Sequence, residues 1–140
     1  MAEFKSASEF REVMNRAFGL MSTDPEMGPK LRDARVPQRF VFPDQDAVVN
    51  ITYDDSGGEQ NLRWEWSDDV GWEPKVSMTM TSEVANRYFQ GKENVPLALA
   101  RRRIKSSGDI KSALKLIPIT KPVFEQYRAM IEREYPHLVV

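Results

Sequence analysis

Side chains able to attack, accept a proton or hold a metal are few in this sequence, and their spacing is poor for each task. The single histidine, His137, stands beside Pro136 in the last few residues, a region where chains are commonly mobile, and is expected to make a poor general base. There is no cysteine, which removes thiolate nucleophiles, disulfides and cysteine-based zinc sites. No Ser or Thr stands in a Gly-x-Ser-x-Gly elbow, so nucleophilic catalysis lacks its parts. Two acidic pairs, Asp54-Asp55 and Asp68-Asp69, could offer oxygen ligands to a hard cation. Both fall in turns, where Asp is favoured for local backbone hydrogen bonding, and neither has calcium-loop spacing, so no metal and no cofactor is assigned. Gly57-Gly58 and Gly91-x-x-Asn94 lack the spacing of a phosphate cradle.

The sharpest charge feature is Arg101-Arg102-Arg103 with Lys105. Guanidinium groups bind phosphate and carboxylate bidentately, so the run could receive an anionic headgroup or a coenzyme A phosphate at the mouth of a cavity. The commoner role of such a run is a solvated face or the protection of a sheet edge from pairing, and that reading comes first.

The elements that must carry these residues can be read from periodicity. Phe10, Val13, Met14, Ala17, Phe18 and Met21 form one helical face, opened by Ser6 and Glu9 as a capping box and closed near Gly19. Asp24-Pro25-Glu26 starts a short turn of helix that Gly28-Pro29 should interrupt. From Arg39 to Thr81 the period falls to two. Phe40 and Phe42, then Val49, Ile51 and Tyr53, then Leu62, Trp64 and Trp66, then Val76, Met78 and Met80 alternate with polar neighbours. Four one-sided strands joined by short turns imply a mostly antiparallel sheet. Helical spacing returns in Val84, Ala85, Tyr88 and Phe89, capped by Ser82 and stopped by Gly91, and Asn94 caps a short helix through Leu97 and Leu99. Arg102 to Ser106 reads as a fifth strand, with Arg102, Ile104 and Ser106 on one face. Gly108-Asp109 opens a helix bearing Ile110, Ala113, Leu114 and Ile117, which Pro118 should end, and Thr120 starts the last helix, with Val123, Phe124, Tyr127, Met130 and Ile131.

The order is thus one helix, four strands, two helices, one strand and two helices, an α+β fold expected to form a single domain over residues 1–140. Lys plus Arg total 20 against 21 for Asp plus Glu, so charge points to no nucleic-acid partner. No window approaches the roughly 18 apolar residues of a membrane span, and no signal is evident, which suits a cytoplasmic protein with at most transient membrane contact. Seven Met, seven Phe, three Trp and four Tyr make a core of large and flexible side chains that could reshape around an irregular guest.

The stretch from Val76 to Leu116 resembles the sterol carrier protein type 2 domain family. The resemblance is carried by Val76-Ser77-Met78-Thr79-Met80-Thr81-Ser82 with Val84, by Phe89-Gln90-Gly91-Lys92, and by Ile104-Lys105-Ser106-Ser107-Gly108-Asp109 with Ala113, Lys115 and Leu116. Weaker similarity runs back through Val49 to Tyr53 and Leu62 to Trp66, and Asp24-Pro25-Glu26-Met27-Gly28-Pro29 is similar to bacterial stand-alone members. The resemblance implies a five-stranded sheet covered by about five helices around an apolar tunnel for a fatty acid, acyl-CoA or sterol, with no catalytic group. It implies a lining of Trp64, Trp66, Met78, Met80, Tyr88, Phe89, Leu99, Ile104, Ala113, Leu114 and Ile117, a last helix that could act as a lid, and a lipid-metabolising enzyme as a possible partner. The chain departs from the family at Arg102 and Ser106, where relatives have Gly and Ile. A guanidinium and a hydroxyl facing the tunnel would favour a fatty acid or acyl-CoA over a bare sterol. The competing expectation is an accessory interaction or stability module whose core is filled by its own side chains. A hydrolase or isomerase would need Ser106, Tyr88, Arg102 and Asp109 brought together.

Overall fold

A computed structural model describes residues 2–140. Helix α1 (Ala7–Thr23) begins where Ser6 Oγ accepts the Glu9 amide, and Glu9 reaches back to the Lys5 amide. All six residues of the expected apolar stripe are buried. The helix passes through Gly19, where nothing requires a left-handed turn, and stops only at Asp24.

Asp24 then accepts the amides of Glu26 and Met27 and starts α2 (Met27–Ala34). Sequence reading expects Gly28-Pro29 to break this helix, and the structure corrects that expectation. Pro29 lies in the first turn, where amides need no helical partner, and Gly28 admits the chain beside α1: a Cβ there would stand 2.7 Å from the Ser22 carbonyl. The observed order is therefore two helices before the sheet.

Strands β1 (Gln38–Phe42), β2 (Ala47–Tyr53), β3 (Leu62–Glu65), β4 (Val76–Thr79) and β5 (Lys105–Gly108) form one sheet in the order β3-β2-β1-β4-β5. Three pairings are antiparallel, and β1 with β4 is parallel. The parallel pair needs a crossover from β3 to β4. That connection runs over the outer sheet face, where Asn50 Nδ2 donates to the Ser67 carbonyl at 2.7 Å and Arg63 lies over the Trp72 ring. Such a crossover cannot be read from alternation alone.

Helix α3 (Ser82–Phe89) is capped by Thr81, whose hydroxyl accepts the Val84 amide. Ser82, the expected cap, instead binds Asp44 through both its amide and its hydroxyl. Helix α4 (Val95–Ala100) is capped by Asn94. The fifth strand starts three residues later than expected, because Arg102 adopts a left-handed φ of 59° and turns the chain before Lys105. Gly108 ends β5 at φ 87°, and a Cβ there would meet the Lys75 carbonyl at 2.4 Å. Asp109 caps α5 (Ile110–Thr120), which carries Pro118 in its last turn instead of ending there. Only Lys121 separates it from α6 (Pro122–Glu134). The helices lie against the sheet face formed by Phe40, Phe42, Val49, Ile51, Val76 and Met78, and one buried apolar cluster runs through both layers. No helix among the described residues is long and apolar enough to cross a membrane.

Candidate ligand-binding cavity

The two layers do not close completely. Between them is a cavity of about 110 Å³. Its floor is the inner sheet face at Phe40, Ile51 and Met78, and its roof comes from α1 at Met14, Phe18 and Met21, α3 at Ala85, Tyr88 and Phe89, and α5 at Ala113, Leu116 and Ile117. Period two places the floor residues on one side of the strands, and the three-four spacing places the roof residues on inward helix stripes.

No Asp, Glu, His, Lys or Arg lines this space. Its polar lining is Gln38, Thr52, Tyr53, Tyr88 and Thr120; the Tyr88 hydroxyl is 2.8 Å from Thr120 Oγ1, which itself donates to the Ile117 carbonyl at 2.9 Å. With the Thr120 proton engaged, the Tyr88 hydroxyl is the donor in this pair. Burial raises the Tyr88 pKa above its usual value, so the hydroxyl stays neutral. Such a chamber can hold an apolar body and offers no charge for chemistry.

Size sets a further condition. Pockets that enclose drug-sized ligands span about 300–1,000 Å³, whereas an apolar cavity of about 150 Å³ accepts benzene. A long acyl chain needs the 110 Å³ space to grow to roughly three times its size. Four of its walls are the thioethers Met14, Met21, Met78 and Met80, unbranched side chains that change rotamer at low cost.

A second, open groove of about 340 Å³ lies at the β5 edge between α4 and α5, bounded by Leu99, Arg102, Ile104, Lys105, Ser106 and Ile110. Ile104 alone borders both spaces. It forms part of the partition between an apolar chamber and a groove with a cationic rim.

Of the residues that the sequence singles out, Met78, Met80, Tyr88, Phe89, Ile104, Ala113 and Ile117 border the cavity. Leu99, Arg102 and Ser106 border the groove. Arg102 therefore does not face the chamber as a strand residue would, and its left-handed turn is the reason. Trp64 and Trp66 border neither space: their indoles pack on Phe18, and each Nε1 donates to Asn15 Oδ1, at 3.0 and 2.7 Å. Leu114 also lies outside, because the inward stripe of α5 runs through Ala113, Leu116 and Thr120. Met14, Phe18, Met21, Phe40 and Ile51 line the cavity without having been singled out. Their stripes mark them as inward, but no periodicity distinguishes a wall from a solid core.

The remaining chemical candidates are dispersed. His137 is docked on α1, with Nε2 2.9 Å from Glu9 Oε1 and the adjacent Leu138 fully buried. Burial opposes ionisation of Glu9, but the bonds from His137 and the Lys5 amide outweigh it and lower its pKa. Asp55 pairs with Arg35, and Asp54 accepts the Ser56 amide. Asp109 is engaged by Ser112 as a helix cap, at the far end of β5 from Arg102. Ser106, Tyr88, Arg102 and Asp109 are not brought to one point.

No protein-family model and no curated protein matches the sequence. Solved structures do match. The UbiJ-SCP2 ubiquinone synthesis protein superposes with a TM-score of 0.59 at 7% identity over 81% of this chain and 94% of its own. Sterol carrier protein 2 from Yarrowia lipolytica, in its apo form, gives 0.57 at 12% identity over 87% and 96%. The sec-alkylsulfatase Pisa1 from Pseudomonas sp. gives 0.59 at 16% identity over 73% of this chain, which spans only 15% of the length of that enzyme. At these identities the likeness is one of architecture, and the mixed five-stranded sheet under six helices is the fold of sterol carrier protein 2 domains.

Proposed function

We propose that the chain acts as one domain that binds a single lipid chain reversibly, without catalysis, and releases it elsewhere. The observation that carries this reading is the charge-free, methionine-walled cavity between sheet and helices in a fold shared with sterol carrier protein 2. The favoured ligand is a fatty acid or acyl-CoA. Its chain would expand the cavity past Ile104, and its acidic head would rest in the groove at Arg102 and Ser106. About 15 methylenes at about 0.8 kcal/mol each offer about 12 kcal/mol. Ordering and association cost about 4–15 kcal/mol. The net is modest affinity, as delivery requires.

The test is extraction of the purified protein with organic solvent and mass spectrometry of the extract, followed by titration with a fluorescent fatty acid. Co-purified lipid and saturable binding are expected, with affinity weakened in Arg102→Ala/Ser106→Ile. Unchanged affinity in that variant would remove the acidic-head assignment.

A second reading is supported by the small size of the cavity and by the occurrence of this fold as a short part of a larger alkylsulfatase. On this reading the core is effectively filled, and the domain serves as an interaction or stability module. Absence of both lipid and saturable binding would favour it.

A further inference from the structure

Helix α4 buries Val95 and Ala98, which leaves Leu97 on the opposite side. Leu97 is 45% exposed and is the one exposed large hydrophobic among the described residues. Pro96 and Ala100 beside it are exposed, and the chain continues directly into exposed Arg101 and Arg102 and then to exposed Lys105.

Cations here outnumber their partners. Glu93, whose side chain is only 8% exposed, is engaged by Arg87 and Arg103. Arg101, Arg102 and Lys105 have no acidic group within ion-pair distance among the described residues. The chain as a whole carries a net charge of −1, so this is a local concentration of unneutralised positive charge. An apolar side chain at the surface flanked by cations suits one environment above others: the interface of an anionic bilayer, where the leucine enters the acyl boundary and the cations meet phosphates.

We infer that the α4–β5 corner docks the protein on an anionic lipid bilayer. The docking face adjoins the groove, and Ile104 stands between groove and cavity, so a chain leaving the membrane has a short path inward. The inference rests on the lipid-binding reading above, and the experiment separates the two. The full chain is mixed with vesicles of phosphatidylcholine alone and of phosphatidylcholine with phosphatidylserine, and bound protein is recovered by flotation.

Binding is expected to the anionic vesicles only, and to weaken with salt. Arg101→Gln is expected to reduce it about fivefold, and Leu97→Asp by about tenfold or more. Lys30→Gln, on exposed α2 surface, should change it little. In vesicle-free solution Leu97→Asp and Arg101→Gln should keep wild-type fatty-acid affinity and wild-type melting. Equal binding to neutral vesicles, wild-type vesicle binding by both corner variants, or displacement by soluble glycerophosphoserine would overturn the docking surface. So would a concentration-dependent dimer that Leu97→Asp dissolves. Loss of fatty-acid binding by the wild type itself would instead strike the lipid-binding reading, while vesicle binding that still depended on Leu97 would leave the docking surface standing.

Discussion

Helix α3 separates two regions built on opposite principles. On one side Ala85, Tyr88 and Phe89 face an apolar space left unfilled. On the other, fully buried Asn86 accepts from the Tyr127 hydroxyl at 2.7 Å and from Gln90 Nε2 at 2.9 Å, and donates to the Leu138 carbonyl at 2.8 Å. Gln90 also binds the Leu138 carbonyl and accepts the Val140 amide. The first region gives up packing, which lets its walls move. The second satisfies directional bonds in a low-dielectric interior, which fixes α3, α6 and the 3-10 turn Pro136–Leu138 in one arrangement. A cavity that must expand can do so only if its frame does not yield.

The widest gap between the regions should appear on removing Asn86. Asn86→Ala leaves buried donors without partners and is expected to cost about 3 kcal/mol in urea unfolding, while the folded fraction keeps its fatty-acid affinity. On the cavity side the pattern should invert. Ala113→Leu adds volume at a cavity wall, so it is expected to raise stability by about 1 kcal/mol and weaken fatty-acid binding by at least about tenfold, since part of the space the chain would occupy is filled.

The two tyrosines sharpen the contrast further. Tyr127→Phe removes a hydrogen bond inside the rigid network and is expected to cost about 1.5 kcal/mol. Tyr88→Phe removes one at the cavity wall, where Thr120 retains the Ile117 carbonyl, and should cost about 0.5 kcal/mol. Equal costs in paired melts would mean that the two regions are equally rigid.

The smallest effect concerns Asp24, which joins the start of α2 to α6. The amide of Met27, then the side chain of Gln126 and the amide of Glu26, hold its carboxyl below the ordinary value of 3.8. A lowered folded pKa gives stability that is complete above the unfolded value and is lost as pH falls through the folded one. Asp24→Asn keeps a capping side chain but should flatten the loss of stability below about pH 4, measured by urea unfolding across acid pH.

Much of this architecture was legible in residue spacing, and what was not has physical causes. The stripe from Phe10 to Met21 and the alternation from Phe40 to Met80 name the inward faces because burial selects them directly. The start of α2 was legible at Asp24 but its continuation was not, because Gly28 and Pro29 act as breakers only in a helix interior, whereas here one fits against Ser22 and the other sits in the first turn. The start of β5 was hidden because an Arg at left-handed φ looks like any other Arg in a sequence. Trp64 and Trp66 alternate correctly, yet Asn15 on α1 captures both indoles at the sheet edge. A stripe specifies a side, and the space across from it depends on how far the opposing layer stands away.

The central claim is that the 110 Å³ cavity opens to admit one lipid chain. Titration calorimetry of the delipidated protein with hexadecanoate, over a range of temperatures, tests it directly. The account predicts saturable binding of one ligand per chain with a negative heat-capacity change, the mark of apolar burial. Heats that never saturate, in a protein that still melts cooperatively, would contradict it.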